Sequence, residues 1–214
     1  MTVARFRDRH DAGRKLASRL AGYRDRAGLL VLGLPRGGVP VAAEVAATLK
    51  APLDVLVVRK LGLPGQPELA MGAIASGGGL VLNRELLRRL DVSPQTVEAV
   101  ADAERLELGR RERIFRGDRG ALDLAGKTVI VVDDGIATGA TVRAAVGAVK
   151  AGGAHEVVVA VPVAPPEAVA ALESDGATVV CLRQPGELQS VGQWYLDFSQ
   201  TSDEEVRELL AVAD

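Results

Sequence analysis

Two adjacent carboxylates, Asp133 and Asp134, stand between a β-branched run and a loop of small and hydroxyl residues. Val129 to Thr141 read VIVVDDGIATGAT, and the residues that follow have helical spacing up to a glycine pair. A short run rich in Val and Ile is typical of a buried parallel strand, so the loop is expected at the start of a helix. Unpaired N–H groups and the helix dipole favour phosphate there. The sequence therefore predicts a phosphate site with carboxylates beside it.

The acids and the loop together suit a phosphorylated pentose. Vicinal sugar hydroxyls can donate to the two carboxylates, while a terminal phosphate one sugar length away can bind the loop, where Gly135 and Gly139 add backbone freedom. The spacing differs from the G-x-G-x-x-G of dinucleotide-binding folds and from the G-x-x-x-x-G-K-[ST] of ATPases. An ordinary strand, turn and helix with two solvated aspartates is the simpler alternative.

The segment resembles the phosphoribosyl-pyrophosphate (PRPP) signature of the type I phosphoribosyltransferases, which is a hydrophobic strand, two acids and then x-x-x-T-G-x-T. The resemblance implies that Asp133 and Asp134 bind the ribose hydroxyls. It implies that the terminal phosphate is bound by Ala137, Thr138, Gly139, Ala140 and Thr141. It also implies a magnesium-dependent enzyme that transfers ribose 5-phosphate from PRPP to a nitrogen acceptor such as a nucleobase and releases pyrophosphate.

A second loop of similar design lies within Gly28 to Lys50, which reads as an apolar strand, a loop from Gly33 to Gly38 and a helix. Pro, Arg and Gly are common in turns of every kind, so these residues alone predict only a turn. LPRGG resembles the loop that binds pyrophosphate in the same family. The resemblance assigns this role to Arg36, Gly37 and Gly38.

A third buried strand is predicted within Leu53 to Gly62, and it ends in two further cations, Arg59 and Lys60. Ligands of open α/β sheets bind beyond the carboxyl ends of the strands, so we expect these cations to meet Arg36 and the acid pair in one crevice and to bind pyrophosphate. In the simpler alternative, both side chains extend from the sheet edge into solvent. The residues predicted to be catalytic are Asp133, Asp134, Arg36 and Lys60.

A flexible loop is predicted at about 61–79, where two prolines and several glycines disfavour one continuous helix. Closure of such a loop would exclude water and protect an activated ribose from hydrolysis. Short strands are predicted near 72–75 and 80–82. Glu68 is a weak candidate for acceptor binding, and a solvated loop acid is the simpler interpretation.

A small hood is predicted at about 183–214, a stretch that contains the aromatic segment VGQWYLDF. The segment resembles the hood of hypoxanthine-guanine enzymes with one extra residue, and by that resemblance Trp194 and Asp197 bind the acceptor base. Alternatively, Trp194, Tyr195 and Phe198 seal a C-terminal helix onto the core. Ala137 stands where hypoxanthine-type enzymes carry an acid, which leaves the base and the residue that handles its proton open.

The whole chain alternates strand and helix patterns. This order predicts an α/β fold with a parallel twisted sheet flanked by helices, as in the type I phosphoribosyltransferases. At 214 residues and 48% hydrophobic composition, we expect one domain over 1–214 with its core at about 28–182. A net charge of −2 with mixed signs argues against nucleic-acid binding. No apolar run has the length of a membrane span, so no membrane partner is expected and the expected location is the cytoplasm.

Magnesium is the expected cofactor, bound mainly through PRPP and water and with Asp133 and Asp134 as candidate ligands. The expected partners are PRPP and a small-molecule acceptor, and a homodimer is compatible with the sequence. Two other functions stay open at this point. One is a PRPP-binding regulatory protein without turnover, and the other is a phosphosugar-binding module that acts with a partner protein.

Overall fold

The computed structural model describes residues 5–212, and every structural statement below concerns that part of the chain. Its helices are α1 (Arg9–Arg19), α2 (Gly38–Leu49), α3 (Arg84–Arg89), α4 (Pro94–Arg116), α5 (Ala140–Ala151), α6 (Pro166–Ser174) and α7 (Asp203–Val212). Its strands are β1 (Leu29–Gly33), β2 (Leu53–Val55), β3 (Val58–Leu63), β4 (Gln66–Ala75), β5 (Gly79–Leu82), β6 (Thr128–Val132), β7 (Glu156–Val163) and β8 (Thr178–Arg183). Short 3₁₀ turns span Ala21–Tyr23 and Gly192–Trp194.

Five parallel strands form the main sheet in the order β2-β1-β6-β7-β8. Alternate residues of the buried strands point to two cores: Val31 packs in a cluster with α1 and α2, while Leu32 packs in a cluster with α5 and α6. The predicted α/β fold with a parallel sheet flanked by helices is therefore confirmed. Because β1 and β6 are neighbours, with Gly33 opposite Val132, the two predicted ligand loops leave adjacent strand ends.

The continuous strand predicted within Leu53 to Gly62 is wrong. β2 ends at Val55 in the parallel sheet, and β3 starts at Val58 in a separate antiparallel sheet of order β3-β4-β5. The change of sheet is made at Val57, whose N–H donates to Ser76 Oγ at 3.0 Å and whose carbonyl accepts from Ser76 N at 2.9 Å. The run is apolar on both sides of this change, so periodicity alone could not locate it.

The segment predicted as a loop at 61–79 consists mostly of strands. β3 and β4 pair as an antiparallel hairpin with Leu63 opposite Gln66, and Gly65 in its turn has a φ of +80°. The strands predicted near 72–75 and 80–82 correspond to the end of β4 and to β5. Movement of this hairpin over a bound ligand stays a prediction.

Residues after β8 cross the carboxyl edge of the main sheet as a strap, which we define as residues 184–202. A bridge joins Phe6 to Tyr195 in the strap, and the chain then enters α7, which packs against α2 and α4. Val206 and Leu210 are buried on the inner face of α7. The predicted hood region thus brings the start of α7 to the β2 side of the sheet. In the described part of the chain, no helix combines the length and apolar character that crossing a bilayer requires.

Candidate functional site

The acid pair lies directly after β6, at the carboxyl edge of the sheet. Both residues are mostly shielded from solvent, and the backbone N–H of Asp134 donates to Asp133 Oδ1 at 2.9 Å. Burial raises the pKa of Asp133 well above its usual range, and the neighbouring Asp134 carboxylate raises it further. Burial also raises the pKa of Asp134, against the opposing effect of the Arg9 guanidinium. The fold thus holds two carboxyl groups where ionisation is costly.

Arg9 of α1 is the main partner of Asp134. Its Nε and Nη2 each lie 2.8 Å from Asp134 Oδ2, and its Nη1 donates to the Ser199 carbonyl at 2.6 Å. The guanidinium lies 4.0 Å from the centre of the Phe198 ring, a cation–π arrangement. Sequence reasoning missed Arg9, because 125 residues separate the partners and no local pattern distinguishes it from its neighbouring arginines.

The predicted pyrophosphate loop is packed against the acid pair. A Cβ atom added to Gly37 would lie 2.1 Å from Asp134 Oδ2, and one added to Gly38 would lie 2.6 Å from the Val132 carbonyl oxygen. Both positions therefore require glycine for close approach. The peptide bond between Pro35 and Arg36 is cis.

The predicted phosphate loop is open to solvent. Its exposed members are Ala137, Thr138, Ala140 and Thr141. Buried Ile136 anchors it, since its N–H donates to the Val163 carbonyl at 2.8 Å. Gly139 caps α5 with a φ of +77°, a left-handed conformation that favours glycine. The loop and the first turn of α5 thus present backbone N–H groups and the hydroxyls of Thr138 and Thr141 at the same edge as the acid pair.

Arg59 and Lys60 lie inside β3 and point to opposite faces of it. Arg59 Nε and Nη2 are each 2.7 Å from Glu104 Oε2 on α4, so this cation has a carboxylate partner within the chain. Lys60 is exposed and lines the groove between the antiparallel sheet and α5, where Ala140 is also found. The structure therefore does not bring both cations together with Arg36. Glu68 is exposed on β4.

The strap aromatics Tyr195 and Phe198 pack against each other and against the N-terminal residues Phe6 and Arg9. Tyr195 is 3% exposed, its ring centre is 5.5 Å from that of Phe6 and 5.0 Å from that of Phe198, and its hydroxyl donates to the Asp134 carbonyl at 2.5 Å. Asp197 is exposed and accepts from Ser199 N at 2.9 Å. This packing favours the sealing role for Tyr195, while base binding by Trp194 and Asp197 stays a prediction.

Similarity to known proteins extends over most of the chain. The model of the phosphoribosyl transferase domain family matches residues 4–190. The chain belongs to this family. Two proteins of Mycobacterium tuberculosis, each named "Putative phosphoribosyl transferase", are 52% identical to it over 201 residues. The match covers 94% of this chain and 45% of each relative, so the chain spans less than half the length of these curated relatives.

Solved structures include a close structural relative of this family member. The crystal structure of TT1426 from Thermus thermophilus is 47% identical, has a TM-score of 0.85 and is matched over 96% of this chain and 97% of that one. The structure of AQ2163 from Aquifex aeolicus, at 13% identity and a TM-score of 0.51 over 86% and 78% of the two chains, shares the fold alone.

Magnesium is the metal expected at a phosphoribosyl transferase site. The acid pair can supply some, but not all, of the oxygen ligands that this ion needs. Carboxylate oxygens are suitable ligands for Mg²⁺, but Asp134 Oδ2 already accepts from Arg9. Within residues 5–212, no group of three or more His, Cys, Asp and Glu side chains is arranged to hold a metal ion. The acid pair therefore fits a cation that takes most of its oxygens from a bound diphosphate and water.

Proposed function

We propose that this chain transfers ribose 5-phosphate from PRPP to a nitrogen acceptor, with a nucleobase as the first candidate, and releases pyrophosphate. One observation carries the proposal: the acid pair after β6 lies against the glycines of the loop after β1 and beside the first turn of α5. Carboxylates, a close-packed glycine loop and helix N–H groups therefore share one edge of the sheet. Membership of the phosphoribosyl transferase family supports the same reaction.

Each part of PRPP has a proposed partner at this edge. Asp133 and Asp134 accept hydrogen bonds from the ribose hydroxyls, and the residues from Ala137 to Thr141 bind the terminal phosphate. Arg36 and the N–H groups of Gly37 and Gly38 bind the pyrophosphate. Lys60 retains its proposed catalytic role as a positive charge near the start of α5.

In the proposed reaction, the bond from ribose C1 to the pyrophosphate oxygen breaks with its electron pair, and a bond from the acceptor nitrogen to C1 forms. The acceptor proton leaves to solvent or to a base. Ala137 cannot be that base, because its side chain has no ionisable group. Arg36 stabilises the departing negative charge, and the acid pair holds the sugar while C1 gains positive character. When bound with PRPP, Mg²⁺ supplies further neutralisation of the leaving group.

Turnover is tested by incubating the protein with PRPP, Mg²⁺ and a panel of purines, pyrimidines and simple amines, and by measuring pyrophosphate. Release of pyrophosphate with at least one acceptor, at a rate well above that without acceptor, is the expected result. PRPP binding measured by calorimetry without release for any acceptor would instead indicate a regulatory protein. Failure to bind PRPP would overturn both functions.

The residue roles are tested by the double variant Asp133→Asn/Asp134→Asn. Amide groups keep the size of the side chains but remove both negative charges, so the variant should stay folded and lose PRPP-dependent turnover. Asp123→Asn is the matched control, because its carboxylate is 71% exposed and pairs with Lys127 away from the site. Undiminished turnover of the double variant would contradict the role of the acid pair.

A further inference from the structure

A cavity of about 330 Å³ opens at the carboxyl ends of β1 and β2. The loop from Leu34 to Arg36 forms one wall, the residues from Leu56 to Val58 form another, and Thr141 of the phosphate loop closes a third side. Its volume lies at the lower end of the range for small-molecule sites. The cavity thus connects the predicted pyrophosphate loop with the predicted phosphate loop.

Helix α4 contributes two arginines to this cavity. Arg110 and Arg111 line it together with Arg36, and Asp203 at the start of α7 is the carboxylate among the described lining residues. Three guanidinium groups stand against two carboxylates, Asp203 and the Glu107 that pairs with Arg110 and Arg111, which leaves an excess of one positive charge. Guanidinium groups bind phosphate oxygens in a planar, two-pronged geometry, so this lining suits a diphosphate.

The two helix arginines are oriented by Glu107, which accepts from Arg110 Nε at 2.8 Å and from Arg111 Nε at 3.1 Å. Glu107 itself is not among the residues that line the cavity. Arg105, on the same helix, makes similar contacts with Glu98 and Asp102 but does not reach the cavity. Arg110 and Arg111 therefore differ from Arg105 in lining the cavity, not in forming ion pairs.

Asp203 occupies the place where an anionic ligand would meet Arg36. Its Oδ1 lies 3.6 Å from Arg36 Nη1, with the two side chains 48% and 37% exposed. An exposed ion pair of this length contributes little free energy, so a multiply charged ligand can replace the carboxylate. The pKa of Arg110 is raised chiefly by its hydrogen bonds to Glu107, and the Asp203 charge adds to this effect.

We propose that Arg110 and Arg111 complete the pyrophosphate subsite, and that Asp203 is an internal competitor that holds Arg36 until the diphosphate enters. This assignment rests on the proposed function and deepens it. It gives α4 the role that the sequence assigned to Arg59, which is not among the described residues that line the cavity. The C-terminal helix α7 is then coupled to ligand binding through its first residue.

The test measures binding of inorganic pyrophosphate with Mg²⁺, and separately of ribose 5-phosphate, by calorimetry. The double variant Arg110→Gln/Arg111→Gln should weaken pyrophosphate binding at least tenfold and change ribose 5-phosphate binding less than twofold, because only pyrophosphate is proposed to contact these two arginines. Asp203→Asn should strengthen pyrophosphate binding about threefold. Arg105→Gln, the control on the same helix, should leave both affinities unchanged.

Two outcomes would overturn this assignment. The first is a pyrophosphate affinity of the double variant within twofold of the unmodified protein, and the second is an equal loss for both ligands in a protein with an unchanged unfolding temperature. If the unmodified protein releases pyrophosphate from PRPP while either outcome holds, the subsite assignment fails and the proposed function stands. If the unmodified protein binds neither ligand, both fail together.

Discussion

Arg9 and Asp134 are joined by two nitrogen–oxygen contacts of 2.8 Å, from Arg9 Nε and Nη2 to one carboxylate oxygen. Their side chains are only 12% and 15% exposed. The pair therefore ties the first helix to the acid pair at the centre of the proposed site. It also leaves Asp134 with one oxygen that does not contact Arg9, so the sugar would share this carboxylate with the protein's own cation.

The Arg9→Gln variant should lower the free energy of unfolding by about 3 kcal/mol, since removing one partner of a buried ion pair leaves the other uncompensated. Chemical denaturation measures the loss. Asp134→Asn and the double variant Arg9→Gln/Asp134→Asn complete a thermodynamic cycle. The stability losses of the two single variants should add to much more than the loss measured for this double variant. Arg7→Gln is the control. The Arg7 side chain is 68% exposed, so this substitution should lower the free energy of unfolding by under about 1 kcal/mol. If Arg9→Gln lowers the free energy of unfolding no more than Arg7→Gln does, the Arg9–Asp134 ion pair does not stabilise the fold.

Stability should depend on pH through Asp133, whose pKa is raised by burial and by the Asp134 charge. A carboxyl with a raised folded pKa stabilises the fold fully below its unfolded value of about 4, and this stabilisation is lost as the pH rises through the folded value. Asp133→Asn should therefore flatten the decline in unfolding free energy above about pH 4 and raise the unfolding temperature at neutral pH by a few degrees. Denaturation curves collected across this pH range test the expectation. Identical pH slopes for the two proteins would contradict it.

The Gly37→Ala variant should disturb the site, because the new methyl group would lie 2.1 Å from Asp134 Oδ2. Relief of this overlap must move the loop or the carboxylate, at a cost of about 1–3 kcal/mol in stability. PRPP binding measured by calorimetry should weaken at least tenfold. Gly186→Ala is the matched control, since no atom lies within 4 Å of its added Cβ. Equal PRPP affinities for both variants would show that close approach of the loops is not needed.

Thr141→Ala should weaken PRPP binding without abolishing it. One hydrogen bond to a charged group contributes about 1.5–3 kcal/mol, so the KM for PRPP should rise by roughly 10- to 150-fold while the backbone donors of α5 remain. Thr48→Ala serves as the control, because Thr48 is exposed on α2. An unchanged KM would place the terminal phosphate away from this hydroxyl.

Local sequence patterns predicted the elements that carry the acid pair and both glycine loops. The Val- and Ile-rich run of β6 was predictable because its signal lies within a few residues. The break between β2 and β3 was not, since Leu56 and Val57 continue the apolar run while the chain changes sheets.

Long-range partners escaped sequence reasoning for a related physical reason. Arg9 contacts Asp134 only after folding brings α1 to the carboxyl edge of the sheet, and the residues around Arg9 in the sequence give no sign of this contact. The Arg and Glu pattern of α4 is typical of a solvated helix face, and Arg105 lies on such a face with its side chain 43% exposed. Arg110 and Arg111 belong to the same pattern of spacing but line a cavity, because α4 packs against β2 and the residues that follow it.

The most direct measurement is a crystal structure of the protein with PRPP and Mg²⁺. The account predicts ribose hydroxyls within hydrogen-bonding distance of Asp133 and Asp134, the terminal phosphate on the N–H groups of Thr138 to Thr141, and the diphosphate beside Arg36. Such contacts should measure about 2.7–3.2 Å. Density for the sugar at any other place, or a diphosphate remote from Arg36 with the acid pair still bound only to Arg9, would contradict the account.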